Sequence, residues 1–500
     1  MNFQYEKIAA NCLKKVATVD RVVEFVASGV ESGNVARVLG LIADARTVSV
    51  EALADEATYL GRVNFKMLYL DTDGEPRSLD YFADFNEKIK AEISAGCTLN
   101  GQIGVLETDI TTDGELKLSA VVEITMYAMD KLEDECLVST PEDCYDETAM
   151  IEVPMLVGVK SADIEVSDEK AVGGDISRVL LADTVVAVNE LRAGDGLVFV
   201  GGDFEATVTY YEDDEIKTAN FHIPFTEEVL FDGVSIGDSI VAYPSIKTTR
   251  VVLTGVEGDN VLRIESLVSV KLFAFSRRMH NVIGDVFMLS NELEVEKVEQ
   301  NFCALEKCIF VSDKYVSSAM LADSRPAVRD IIGVISSQNS IAGTKIEDDK
   351  LIIEGVVGAN LLYTDENGFN SVKAELPYSL NFKTDVPQNA ELRVSGIVED
   401  ISARVKRDRE IEVTTKLEFC IEVWVGNSCV MLKKVVIGEE KELNQSAISV
   451  FIASSGDSIW DVAKALSATP KSIITQNPNV EGGLKDGDKV MYFRQLNISF

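Results

Sequence analysis

Apolar and polar residues alternate with a period of two along most of this chain. Ile411-Glu-Val-Thr-Thr-Lys-Leu-Glu-Phe419 and Val261-Leu-Arg-Ile-Glu-Ser-Leu-Val-Ser-Val270 show the pattern best. Such alternation, with β-branched residues and Asp/Asn/Gly turns, predicts antiparallel sheets with one buried face. The stretches Val19–Val30 and Asp80–Glu92 also permit a helical reading, so low helix content is expected there. The pattern changes at the C-terminus. A short strand near Val450 runs into Gly456-Asp457-Ser458, a turn and helix N-cap, after which Ile459, Val462, Ala463 and Leu466 recur at helical spacing. A second helix is predicted over Pro470–Gln476, since Asn477 precedes a proline and is pushed out of helical geometry. Asp-Gly and Gly-Gly turns then lead to a closing strand over Lys489–Phe493.

One set of markers occurs three times. Gly61, Gly202 and Gly355 each stand eight residues before Tyr69, Tyr210 and Tyr363. An acidic turn follows each tyrosine, and then an aromatic marker, Phe85, Phe225 or Tyr378. About 23 residues before the glycines lie the aliphatic pairs Val38-Leu39, Val179-Leu180 and Ile331-Ile332. Downstream, Leu118/Val122/Ile124, Ile264/Val268/Val270 and Val413/Leu417/Phe419 repeat. The glycine-to-glycine intervals, 141 and 153 residues, are those of whole domains in tandem. The glycines read as bulges or sites of close backbone approach, and the tyrosines as half-buried strand ends with the hydroxyl outward. Each unit is expected to be a β-sandwich. The units span residues 1–145, 146–292 and 293–443, followed by a small α+β module, strand–helix–helix–strand, over 448–496.

Both parts resemble known families. The C-terminal pattern is similar to LysM domains through its strand, Gly456-Asp457-Ser458-Ile459-Trp460, Asn477 after the second helix, and Leu484-Lys-Asp-Gly-Asp-Lys-Val490. The repeated layout resembles the SPOCS domain of clostridial sporulation proteins. Three SPOCS units followed by one LysM resemble spore coat morphogenesis proteins that tie the coat to the coat-basement ATPase. Unit two departs from the layout, with Gly201-Gly202 doubled and Glu215 at the place of Gly74 and Gly368. The LysM resemblance implies a groove formed by Gly456, Asp457, Ser458, Ile459, Asn477, Asn479 and Val480, with Trp460 buried beneath the helices. It also implies either an N-acetylglucosamine glycan of peptidoglycan or a docked coat protein as the ligand. The sporulation resemblance favours the protein, at the forespore surface on the mother-cell side.

Composition narrows the chemistry. The formal charge is −36, from 83 acidic and 47 basic residues, which argues against nucleic-acid backbones and anionic lipid as partners. No run of 18 apolar residues and no basic leader before an apolar segment is present, so membrane insertion and export are not expected and a cytoplasmic location is. The eight cysteines form no CxxC pair and only His222 and His280 are present, so no metal site or cofactor is expected; the cysteines read as reduced thiols. No phosphate-cradling glycine motif and no nucleophile–base constellation stands out, so no catalytic residue is assigned and the chain reads as a non-enzyme. A hydrolase targeted by its LysM is the remaining enzymatic reading.

Overall fold

The computed structural model describes the whole chain except residues 1–2, 32–33, 113–114, 174–175, 257–258, 348, 442–445, 481 and 495–500. The expected unit boundary at residue 443, the last two residues of the C-terminal module and the side chain of Cys12 fall outside the described residues. The molecule is mainly β, with 80% strand and 4% helix.

A single six-strand topology occurs three times. The first copy comprises β1 (Gln4–Glu31), β2 (Val35–Leu53), β3 (Glu56–Asp71), β4 (Pro76–Lys90), β5 (Thr98–Thr111) and β6 (Glu115–Ser139). The second runs through β7 (Cys144–Val172), β8 (Ile176–Ala193), β9 (Leu197–Glu212), β10 (Glu215–Leu230), β11 (Ser239–Val256) and β12 (Asp259–Met288). The third contains β13 (Asn291–Met320), β14 (Asp330–Glu347), β15 (Lys350–Asp365), β16 (Gly368–Lys383), β17 (Ala390–Arg407) and β18 (Glu410–Glu440). In each copy the second, third and fourth strands form one antiparallel sheet, and the first, sixth and fifth form another. Each pair of sheets encloses its own hydrophobic core. The two stretches that permitted a helical reading lie in β1 and β4. These strands pair antiparallel with β6 and β3, and pairing overrides the weak local helix preference.

In each copy the glycine, tyrosine, aliphatic and aromatic markers belong to one sheet, while the downstream apolar set lies on the sixth strand of the other. Gly61, Gly202 and Gly355 stand directly across from Phe85, Phe225 and Tyr378. A Cβ on each glycine would overlap that aromatic ring, and on Gly202 and Gly355 it would also overlap a carbonyl oxygen of Ala187 or Ser340. The neighbouring strand bulges beside the glycine in all three copies, between Thr47 and Ser49, Val188 and Glu190, and Ile341 and Gly343. Gly202 and Gly355 therefore combine a close backbone approach with a bulge opposite, whereas Gly61 makes room for aromatic rings beside its bulge. Tyr69, Tyr210 and Tyr363 pair with Val38, Val179 and Ile331 of the aliphatic pairs. These tyrosines are buried and not half-buried, each lying within the hydrophobic core of its own repeat.

The three copies close into a ring. β4 touches β8, β10 touches β14, and β16 touches β2, so the same pair of elements meets at each junction. A head-to-tail contact used three times with closure leaves no open end. The second residues of the aliphatic pairs, Leu39, Leu180 and Ile332, meet in one cluster where the copies join. Met129, Phe275 and Trp424 are equivalent positions of the sixth strands and meet in another. Beyond it, Cys136, Val282 and Met431 converge, as do Leu137, Ile283 and Leu432. Cys136, Cys144, Cys308, Cys420 and Cys429 carry free thiols. Among the described residues no helix is long and apolar enough to cross a membrane, and no group of three or more His, Cys, Asp or Glu side chains could hold a metal ion.

Candidate functional site: the C-terminal module

After β18 the chain forms β19 (Ile448–Ile452), α1 (Ile459–Leu466), α2 (Pro470–Gln476), a single 3-10 turn (Pro478–Val480) and β20 (Lys489–Phe493). Strands β19 and β20 pair antiparallel. Each short helix is held by its caps. The Ser458 hydroxyl accepts from the Asp461 amide at 3.2 Å, and Asp461 accepts the Ser458 amide at 2.8 Å. This reciprocal capping satisfies two orphan donors, and the hydrogen bonds from Ser458 lower the Asp461 pKa below the usual carboxylate value. Thr469 caps α2 by accepting from the Ser472 amide at 3.0 Å, with Pro470 at the first helical position.

The groove residues inferred from sequence fall into two groups. Gly456 takes φ +99° in an exposed turn, a conformation that favours glycine. The Asp457 carboxylate in the same turn accepts the Ser454 amide at 2.7 Å. Ser458 is exposed but engaged in the cap, Ile459 is half-buried against the module core, and Asn479 is exposed. Val480 and Asn477 require correction. Val480 is fully buried in the core with Val462, Ala463, Ile473 and Val490, so it offers no apolar floor for a sugar ring. Asn477 is also inside: its amide nitrogen donates to the carbonyls of Ile473 and Met491, and its oxygen accepts from the Met491 amide at 2.9 Å. It latches α2 to β20.

Trp460 is corrected too. It is only half-buried, at the edge of the module core, and its ring meets Phe287 of β12 edge-on, with centroids 4.8 Å apart. Its indole nitrogen donates to Asp285 at 2.9 Å. Lys464, one turn along α1, donates to both Asp285 oxygens at 2.6 and 2.8 Å, and Lys297 approaches at 3.5 Å. Tyr145 stacks on Phe287, and together with Leu289 it continues the module core into the second repeat. Burial acts to raise the Asp285 pKa, but the bonds from Lys464 and Trp460 and the nearby positive charges outweigh it, so the group lies below the usual value. The module is thus docked on the end of β12 through one carboxylate and one aromatic pair. Nothing in the local sequence around Asp285 marked this dock, since an acidic residue in an alternating strand reads as solvated.

The outer face of the hairpin is apolar and exposed. Ile448 stands opposite Phe493 and Val450 opposite Met491, with Ile452 beyond them, and each of these five side chains is 46–62% exposed. The sequence signal was present in Ile448-Ser-Val-Phe-Ile452, where the positions that face out are as apolar as those that face in.

No curated protein and no solved structure matches the chain. Residues 175–254 and 329–406 match the family model described as SipL, SPOCS domain, covering β8–β11 of the second repeat and β14–β17 of the third. The chain therefore carries two regions similar to the SPOCS domain, a similarity that suggests a sporulation-related protein.

Proposed function

We propose that the chain is a non-enzymatic adaptor in spore coat and envelope assembly. In this reading the three repeats are SPOCS units, and the C-terminal module is a LysM domain that docks a coat-basement protein, such as its ATPase, at the forespore surface. The observation that carries the reading is the exposed apolar face of β19 and β20. Five neighbouring apolar side chains on a small module form a surface suited to a protein partner. A glycan site would instead use Asn477, Val480 and the loop polar atoms. Burial of the first two, and the hydrogen bonds that already engage Asp457 and Ser458 within the module, favour protein over peptidoglycan.

The test uses the full-length chain and its Val450→Asp and Met491→Asp variants. Co-purification with the coat-basement protein from sporulating cells is expected for the parent chain and lost in both variants. Cosedimentation with purified peptidoglycan, competed by soluble chitin fragments, would replace this reading with the wall-binding alternative. Turnover of labelled peptidoglycan would replace it with the hydrolase.

A further inference from the structure

An open cavity of about 400 Å³ lies at the junction between the third and first repeats. Its walls include Arg37 of β2, Arg325, Tyr363, Asp365, Asn370 and Ser371. Arg37 donates to the Phe369 carbonyl at 3.0 Å and to Asn370 Oδ1 at 2.8 Å. Arg325 donates to the Tyr363 hydroxyl at 3.3 Å and the Ser371 carbonyl at 2.8 Å. All four acceptors are neutral. Among the described residues neither guanidinium forms an ion pair, in a chain with 83 acidic and 47 basic residues.

The molecule contains its own control. Arg178 of β8 occupies the position of Arg37 at the junction between the second and first repeats, where it pairs with Glu75 at 2.7 Å. The turn of the third repeat is one residue shorter, since Tyr69 stands opposite Arg77 but Tyr363 opposite Asn370, and the sheet register places Gly368 where the first repeat has Glu75. Arg77, which pairs with Asp71 at 3.0 Å, is replaced by Asn370. Asp365, the counterpart of Asp71, is held instead by neutral donors, the Asn367 amide and the Asn370 side chain. The junction has therefore lost the carboxylate that would neutralise Arg37.

A second arginine has been added. Nine residues separate β13 from β14, against three at the same place in the other repeats. The added segment is fastened by Leu321 and Val328 amides donating to the Arg409 and Asp408 carbonyls, and by Arg409 Nε donating to the Arg325 carbonyl. It brings Arg325 to the cavity wall.

We propose that this cavity binds a small-molecule oxyanion, a carboxylate or phosphate group held between Arg37 and Arg325 where the junction of the first and second repeats has the Glu75 carboxylate. Paired guanidinium forks suit such planar or multidentate oxygens.

Calorimetric titration of the full-length chain in chloride buffer with citrate, and separately with inorganic phosphate, tests the site. One site per chain is expected for at least one anion, and the tighter of the two identifies the group recognised. Arg325→Gln lies on an exposed segment and should leave folding intact while weakening binding about tenfold or more. Arg37→Gln should do the same, and Arg404→Gln, distant and already paired with Glu412, should not. Absence of binding to both anions up to ~10 mM, or binding undiminished in both Arg37→Gln and Arg325→Gln, overturns the proposal.

Discussion

At the residue scale, the C-terminal module depends on two side chains whose partners are far apart in sequence. Asp285 receives Trp460 and Lys464 together, so Asp285→Ala leaves an indole donor and an ammonium without their acceptor. Bonds to a charged group contribute about 1.5–3 kcal/mol each, and a loss near 2 kcal/mol lowers the docking equilibrium constant about thirtyfold. Trp460 should then become accessible to an aqueous quencher, while Trp424, 1% exposed, stays silent. Unchanged quenching would mean that the aromatic contact alone holds the dock. Asn477→Ala removes the acceptor of the Met491 amide inside the module, at a cost of roughly 1–3 kcal/mol. Hydrogen exchange at Met491 and through α2 should accelerate by one to two decades, with the repeats unaffected. The sequence marked both residues as special but misjudged how. A tryptophan after an N-cap reads as core because helical spacing identifies an apolar face without saying what covers it. Asn477 reads equally well as a ligand or as a latch until its neighbours are known.

At the element scale, legibility was high wherever a local rule decided the structure. Pro470 opens α2 and the Asn477-Pro478 pair stops it, and the closing strand begins at Lys489 after an Asp-Gly turn. The recurring Gly, Tyr, aliphatic and aromatic markers turned out to be cross-strand partners in one sheet, which explains their constant spacing. What spacing did not reveal was why glycine is needed. At Gly202 and Gly355 a side chain would meet a carbonyl oxygen as well as a ring, and the backbone of a paired strand cannot give way cheaply. Gly202→Ala and Gly355→Ala are therefore expected to destabilise by about 1–3 kcal/mol, in the manner of overpacking. Gly104→Ala, with nothing within 4 Å of its would-be Cβ, should change stability by less than about 0.5 kcal/mol. Thermal melts of the three variants compare them directly, and equal melting points would refute the close-approach account.

At the scale of the whole molecule, three copies were legible but their closure was not. Alternation shows that a strand has a buried face; it does not show that Leu39, Leu180 and Ile332 meet one another across repeats. Closure also buries acidic groups that a single repeat would leave wet. Asp183 of β8 lies where all three repeats meet, near Asp44 and Lys66 of the first and accepting a backbone bond from Ser337 of the third. Burial first, and then the Asp44 charge, push its pKa up to about 7, with Lys66 opposing. Glu418, on the third repeat, is likewise pushed up to about 7 by burial and by Glu399 and Asp203. His222, bonded to Glu205, is raised above its ordinary value. A carboxyl whose folded pKa lies above its unfolded value of about 4 binds a proton more readily when folded. Between about pH 4 and 7 the folded ring thus holds more protons than the unfolded chain, and stability falls as pH rises. The raised histidine acts in the same direction, since its contribution is present below about 6.5 and lost as pH climbs through its folded pKa. The carboxylates with depressed values, such as Asp285 and Asp84, oppose this only below about pH 4. The melting temperature should therefore be higher at pH 5 than at pH 8. Asp183→Asn and Glu418→Gln together should flatten the difference, because an uncharged group of the same shape has no proton to lose. A melting temperature that rises from pH 5 to pH 8 would show that these carboxyls stay hydrated in the closed ring.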